Sequence, residues 1–164
     1  MKVIIKFRRR MENKTDYKAR RKLLESGISR VVIRKTNRYI IAELVESKEA
    51  QDKVICYVIS KELTQYGWPK EFSIKNIPAS YLTGFLLGKK MKKLNKGKAI
   101  IDLGLARSTQ GNKFYATIKG LLDAGIEIPH SDHIFPKEDR IKGEHINEKL
   151  KAQFEKTKGE IENK

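Results

Sequence analysis

Apolar and polar positions divide the chain into three strand-like runs, two long helical runs and polar stretches between them. Residues 29–35 (SRVVIRK), 39–46 (YIIAELVE) and 52–60 (DKVICYVIS) are rich in β-branched residues and are separated by short polar connections. Short connections join antiparallel neighbours, so these runs predict a β-meander. Residues 78–94 (PASYLTGFLLGKKMKKL) follow a helical period. Pro78 suits a first helical turn, and Ala79, Leu82, Phe85, Leu86, Leu87, Met91 and Leu94 make a broad apolar face. Gly84 and Gly88 cost helix propensity, which implies close approach of another backbone, expected to be the sheet. Residues 99–104 (AIIDLG) read as a buried strand, and a strand reached through a helix lies parallel to its neighbour. After a loop at 105–111 (LARSTQG), a second helix over 112–124 aligns Phe114, Ile118, Leu121 and Leu122 and stops at Gly125. Residues 126–128 can add a short strand before Pro129. The expected fold is α/β with a mixed, α+β-like sheet. It consists of an antiparallel meander, a parallel strand after a crossover helix, two main helices packed on the sheet and a basic N-terminal extension.

The ends are less regular. Residues 1–14 read as an extended arm. Thr15 offers a hydroxyl N-cap and Asp16 a carboxylate in the first turn of a short helix over 16–26, which Gly27 ends. Trp68, in the YGWP of the segment 61–76, precedes a proline and is held extended; a packing anchor is the leading role for it, with base stacking the alternative. Beyond Pro136 the pattern is weak, and irregular structure followed by a short, frayed helix around 147–157 is expected. These limits suggest a basic arm at 1–27, a core at 28–128 and a C-terminal extension at 129–164.

Charge changes the picture. The 164 residues carry a formal net charge of +16, and residues 1–40 hold fourteen of the 36 Lys and Arg against three of the 20 Asp and Glu. The densest stretch, 8–22 (RRRMENKTDYKARRK), contains Arg8, Arg9, Arg10, Lys14, Lys18, Arg20, Arg21 and Lys22. Such a run repels itself unless it is solvated or meets a polyanion, and guanidinium groups fork onto phosphate and stack on bases. A solvated tail and an RNA-binding arm both satisfy this. A second basic feature, the hairpin tip with Arg34, Lys35, Thr36, Asn37 and Arg38, tilts the balance towards RNA. Tyr17 and Tyr39 are candidates for stacking or for packing. The apolar surface of 8–22 is too small for a membrane-lying helix, no run approaches the ~20 apolar residues needed to span a bilayer, and MKVIIKF is too short for a signal-peptide core. Cys56, the single cysteine, sits in an apolar run and reads as a buried hydrophobe in a chain suited to the cytoplasm.

Catalytic chemistry finds little support. His130 and His133 form H-x-x-H, with His145 further on, but no matched second pair of zinc ligands accompanies them. Asp102 with Asp123 or Glu127 could serve a two-metal nuclease only if the fold brought them together. No Walker A or G-x-G-x-x-G sequence is present. Arg107, Ser108, Thr109 and Lys113 lie in a loop that has the parts of a phosphate nest before a helix.

Several collinear stretches resemble one family. They are FRRRMENKTDYKARRKLL, RVVIRKTNRYIIAELV, KELTQYGW, NIPASYLTGFLLGKK, AIIDLGLARSTQGNKFYATIKGLLDAGIEIPHS and RIKGEHI. The chain resembles ribosomal protein eighteen of the large subunit in its archaeal form, from about Phe7 to Ile146. The resemblance implies a non-enzymatic constituent of the large subunit, without cofactor or metal. It further implies binding to 5S ribosomal RNA in the central protuberance, contact with large-subunit rRNA, and neighbouring ribosomal proteins including the other 5S-binding one. By position, the family's arm falls on Arg8, Arg9, Arg10, Lys14, Tyr17, Lys18, Arg20 and Arg21. Its basic hairpin falls on Arg34, Lys35, Thr36, Asn37 and Arg38, and its loop on Arg107, Ser108, Thr109 and Lys113. Two alternatives remain open: an RNA-binding protein outside the ribosome, and a metal-dependent RNA-processing nuclease using Asp102.

Overall fold

The structure is a computed structural model that describes residues 6–49 and 51–163. A one-turn helix α1 (Arg8–Met11) and α2 (Tyr17–Glu25) precede strands β1 (Arg30–Lys35), β2 (Ile40–Lys48) and β3 (Gln51–Ile59). A 3-10 segment (Ser60–Tyr66) leads towards α3 (Ile77–Lys93), then β4 (Ile100–Asp102) and α4 (Lys113–Asp123). A short 3-10 turn (Asp132–Ile134), α5 (Glu138–Lys142) and α6 (Glu148–Asn163) complete the chain. The sheet order is β3-β2-β1-β4, antiparallel across the meander and parallel between β1 and β4. Lys98 and Glu127 add a single parallel bridge beyond β4, which is all that forms of the short strand expected at 126–128.

Strand alternation sends Val31, Ile33, Ile40, Ala42, Leu44 and Val58 into the core, where α3 lies over β2 and β3. The side chain of Asn76 accepts the Ala79 N–H and caps α3, with Pro78 in its first turn. Residues 78–88 of α3 are all buried, because the sheet, α4 and α6 pack around the helix. The buried hydroxyls of Ser80 and Thr83 donate to the carbonyls of Asn76 and Ala79, so neither is left unpaired.

Gly84 does mark a close backbone approach, but the neighbour is α4 rather than the sheet. A Cβ at Gly84 would lie 1.9 Å from the Thr117 carbonyl oxygen, and one at Gly120 would lie 2.1 Å from that of Tyr81. Gly88 faces the Cβ of Ala124 in the same seam. The two helices therefore touch backbone to backbone, which only glycine permits.

Other expectations need correction. Residues 8–11 make a helical turn instead of continuing an extended arm, and the expectation for 1–5 lies outside the described residues. Asp16, not Thr15, caps α2, accepting from the N–H groups of Lys18 and Ala19. Thr15 instead accepts from Nε of Arg9 at 2.9 Å. Cys56 is half-buried on edge strand β3, where burial raises its thiol pKa. Trp68 is buried beside Phe72 and serves as the packing anchor. At the C-terminus, α6 is longer than the frayed helix expected: Leu150, Phe154, Thr157 and Ile161 are buried, and the Phe154 ring centroid lies 5.4 Å from that of Tyr81.

Candidate nucleic-acid interface

Three basic features far apart in sequence border one open cleft of about 1350 Å³ along the β4 side of the sheet. The arm and α2 supply Arg9, Lys14, Arg20 and Lys22; β1 supplies Arg34 and Lys35; the loop and α4 supply Arg107, Thr109 and Lys113. Ile33, Ile101 and Ile118 contribute apolar lining between them.

Each cation has a different freedom. Arg20 is drawn onto Asp52 at 2.8 Å, and Arg21 onto Glu25 at 2.8 Å. Lys14 and Arg8 meet Glu12, while Arg10, Lys18 and Lys22 have no ion pair among the described residues. The Tyr17 ring packs on Phe7 with centroids 5.0 Å apart. In the hairpin, the Thr36 hydroxyl accepts the N–H groups of Arg38 and Tyr39, which holds the turn and leaves Lys35 and Arg38 exposed. Tyr39 is half-buried. The Arg34 guanidinium folds back onto the Asp102 carboxylate at 3.2 Å and the Asp102 carbonyl at 2.9 Å.

The hairpin gains a cation from outside its own sequence. Lys75, in the irregular segment before α3, donates from Nζ to the Asn37 carbonyl at 2.8 Å. Lys113 at the start of α4 is half-buried, and its pKa is lowered by burial and then by the nearby charges of Lys75 and Lys35. None of these three lysines has a carboxylate partner among the described residues. Sequence reading missed Lys75, because nothing local to 61–76 shows that the segment returns to the hairpin.

The loop before α4 is held differently from a phosphate nest. The Asn112 side chain accepts the Tyr115 N–H, the Gly111 N–H goes to the Ile134 carbonyl, and the Asn112 N–H goes to the Thr109 carbonyl. Ser108 and Tyr115 hydrogen-bond through their hydroxyls. With the amides of Gly111, Asn112 and Tyr115 committed, the side chains of Arg107 and Lys113 carry the loop's positive charge.

Asp102 is equally committed. Its carboxylate takes Arg30 at 2.8 Å, Arg34, and the Gly104 N–H at 2.8 Å. Asp123 accepts from the Tyr81 hydroxyl and pairs with Lys119. Asp102 and Asp123 thus serve separate structural contacts, and Glu127 is exposed. No group of three or more His, Cys, Asp or Glu suited to a metal occurs among the described residues. His130 contacts the Ile128 carbonyl and pairs with Asp132.

Fold and cleft together define a basic α/β protein with cations of arm, hairpin and loop around one cleft. The family of ribosomal large subunit proteins 60S L5 and 50S L18 matches residues 2–98 and 92–131. Large ribosomal subunit protein uL18 of Korarchaeum cryptofilum is 54% identical over 142 residues, covering 87% of this chain and 72% of that protein. The uL18 of Methanoregula boonei is 46% identical over 143 residues, covering 87% and 81%, and that of Methanothrix thermoacetophila is 41% identical over 161 residues, covering 96% and 94%. The chain belongs to this family, in its archaeal form, and is a structural, non-enzymatic constituent of the large ribosomal subunit. No helix of the described residues is long and apolar enough to cross a membrane.

Proposed function

We propose that the chain binds 5S rRNA and helps attach it to the central protuberance, beside the other 5S-binding ribosomal protein and against large-subunit rRNA. The observation that carries this reading is the cluster of Lys35, Lys75 and Lys113, of which Lys35 and Lys113 line the cleft, three like charges with no carboxylate partner among the described residues. Such a cluster is unfavourable alone and is relieved by phosphate oxygens. Residues 1–27 act as the RNA-facing arm, 28–128 as the scaffold and 129–164 as an extension bracing α3. Arg8, Arg9, Arg10, Lys14, Lys18, Arg20 and Arg21 of the arm, Lys35 and Arg38 of the hairpin, and Arg107 and Lys113 of the loop neutralise phosphates and release counterions. Arg34 and Thr36 fix the geometry from which Lys35 and Asn37 reach the RNA, and Ser108 and Thr109 border the same surface. Tyr17 can stack on an unpaired base once RNA displaces Phe7. Because the A-form major groove is deep and narrow, selectivity comes from RNA shape and unpaired bases.

Filter-binding titration of the full chain against 5S rRNA and a structured control RNA of equal length, at two salt concentrations, tests the reading. A preference for 5S rRNA that survives the higher salt is expected. Equal affinities that collapse together with salt would leave the charge without the partner.

A further inference from the structure

One sheet face is covered by α3, and the other is partly open. Cross-strand partners share a face, so the register places Val32, Glu43 and Tyr57 side by side on the open face. By the same rule the next row holds Arg34, Ile41 and Ile59. Tyr57 is 55% exposed and Val54, near the bulge of β3, is 48% exposed. Val32, Ile41 and Ile59 are half-buried, which gives an apolar surface centred on Tyr57.

The charge of this face differs from that of the cleft. The Arg30 guanidinium is consumed by Asp102 and Asp52, and that of Arg34 is folded back onto Asp102. Glu43, directly opposite Tyr57, is a half-buried carboxylate with no hydrogen bond or ion pair among the described residues. In a chain of net charge +16, the one unspent charge at the centre of an apolar face is therefore negative. It repels phosphate and attracts a cation.

We propose that this open sheet face docks a neighbouring protein through a segment that sets a Lys or Arg against Glu43 and apolar side chains against Tyr57 and Val54. Tyr and Arg are enriched at the energetic centre of interfaces, which suits an aromatic side chain beside a carboxylate that an incoming Arg can pair. The partner lies on the face and does not add as a strand at the edge. A bulge interrupts the β2–β3 register between Leu44 and Val45, and Lys90 donates to the Tyr57 carbonyl at 3.2 Å. Both features block edge pairing.

The test rests on the ribosomal reading and is arranged to fail separately from it. Full-length chain carrying Cys56→Ser and Val54→Cys is coupled to benzophenone maleimide and reconstituted into large subunits depleted of the resident protein. A second preparation carries the probe at Lys35→Cys in the cleft, also with Cys56→Ser. On irradiation, the Val54 probe is expected to give an RNase-resistant adduct with a ribosomal protein. Its cross-linked peptide contains Lys or Arg among apolar residues, and Glu43→Gln lowers the yield several-fold. The Lys35 probe is expected to give an rRNA adduct that Glu43→Gln leaves unchanged. A Val54 adduct on rRNA, no protein adduct, or a protein adduct indifferent to Glu43→Gln overturns the docking face while leaving the RNA reading intact. Loss of the Lys35–rRNA adduct counts against the RNA reading alone. Failure of the chain to enter the subunit overturns both.

Discussion

Arg30 is only 2% exposed, and its charge is tolerable because three oxygens surround it: Asp102 at 2.8 Å, Asp52 at 2.9 Å and the Ser47 hydroxyl at 2.9 Å. Removing one partner of such a buried pair strands the other, so Asp102→Ala is expected to destabilise the fold by about 3–5 kcal/mol, measured by urea unfolding. Asp52 gives a pH signature. Burial raises its carboxyl pKa, but hydrogen bonds from Ser47 and Arg20 and the charges of Arg20 and Arg30 outweigh burial, leaving it below its ordinary 3.8. A carboxyl lowered in the folded state adds stability that is present above its unfolded pKa and is lost as pH falls through the folded value. Stability should therefore drop on acidification below about pH 4, and Asp52→Asn should flatten that part of the profile. Equal pH slopes in the two proteins would rule this out. In the lysine cluster beside the cleft, Lys75→Ala and Lys113→Ala should each reduce the salt slope of RNA affinity by about 1, whereas Lys156→Ala on the exposed side of α6 should leave it unchanged. The sequence shows that Arg34 is cationic and near a turn. It does not show that Asp102, 68 residues on, bends the guanidinium inward, because pairing across a parallel strand leaves no local trace.

At the scale of elements, the seam between α3 and α4 is the most demanding contact. Gly84→Ala must push a methyl group into the Thr117 carbonyl, and Gly120→Ala into that of Tyr81. Each is expected to cost at least the ~1–3 kcal/mol of ordinary overpacking, seen as a lowered Tm, whereas Gly159→Ala on α6 meets open space and should gain helix propensity. The glycines of α3 were legible as a close approach, but small residues do not say which backbone arrives. The strands and both main helices were legible because long apolar runs keep one period, 2.0 or 3.6. α6 was read too short for a related reason. Its buried positions Leu150, Phe154, Thr157 and Ile161 keep helical spacing, but a threonine and charged neighbours dilute the signal, and only the docking site on α3 makes the face meaningful. The helical turn at α1 has no buried residue, so no hydrophobic pattern could announce it.

Across the whole molecule, folding converts an uneven charge list into two surfaces of different character. Basic residues from the first forty positions converge with Arg107 and Lys113 at one cleft, with Lys75 beside Lys113, while the guanidinium of Arg30 is turned inward onto acids. Counting charge along the sequence finds the first surface only in part and the second not at all, since Lys75 is recruited and Arg30 is silenced by tertiary contacts. The division also separates binding from stability in the arm. α1 buries nothing, and the polar partners of Arg8, Arg9, Arg10 and Lys14 among the described residues are Glu12, Thr15 and backbone. α2, in contrast, is fastened to β3 through Arg20 and Asp52. Deleting residues 1–15 should therefore leave the thermal midpoint of the remaining chain nearly unchanged. The same deletion removes those four cations together with Lys2 and Lys6, and should lower the slope of log affinity against log salt by at least about 3, since each phosphate contact contributes roughly 0.7–0.9. Filter binding to 5S rRNA across a salt series measures the slope, and circular dichroism melting measures the midpoint. A deletion that unfolds the chain would make the arm part of the core, and one that leaves the slope intact would mean that the densest charge in the sequence does not touch the RNA.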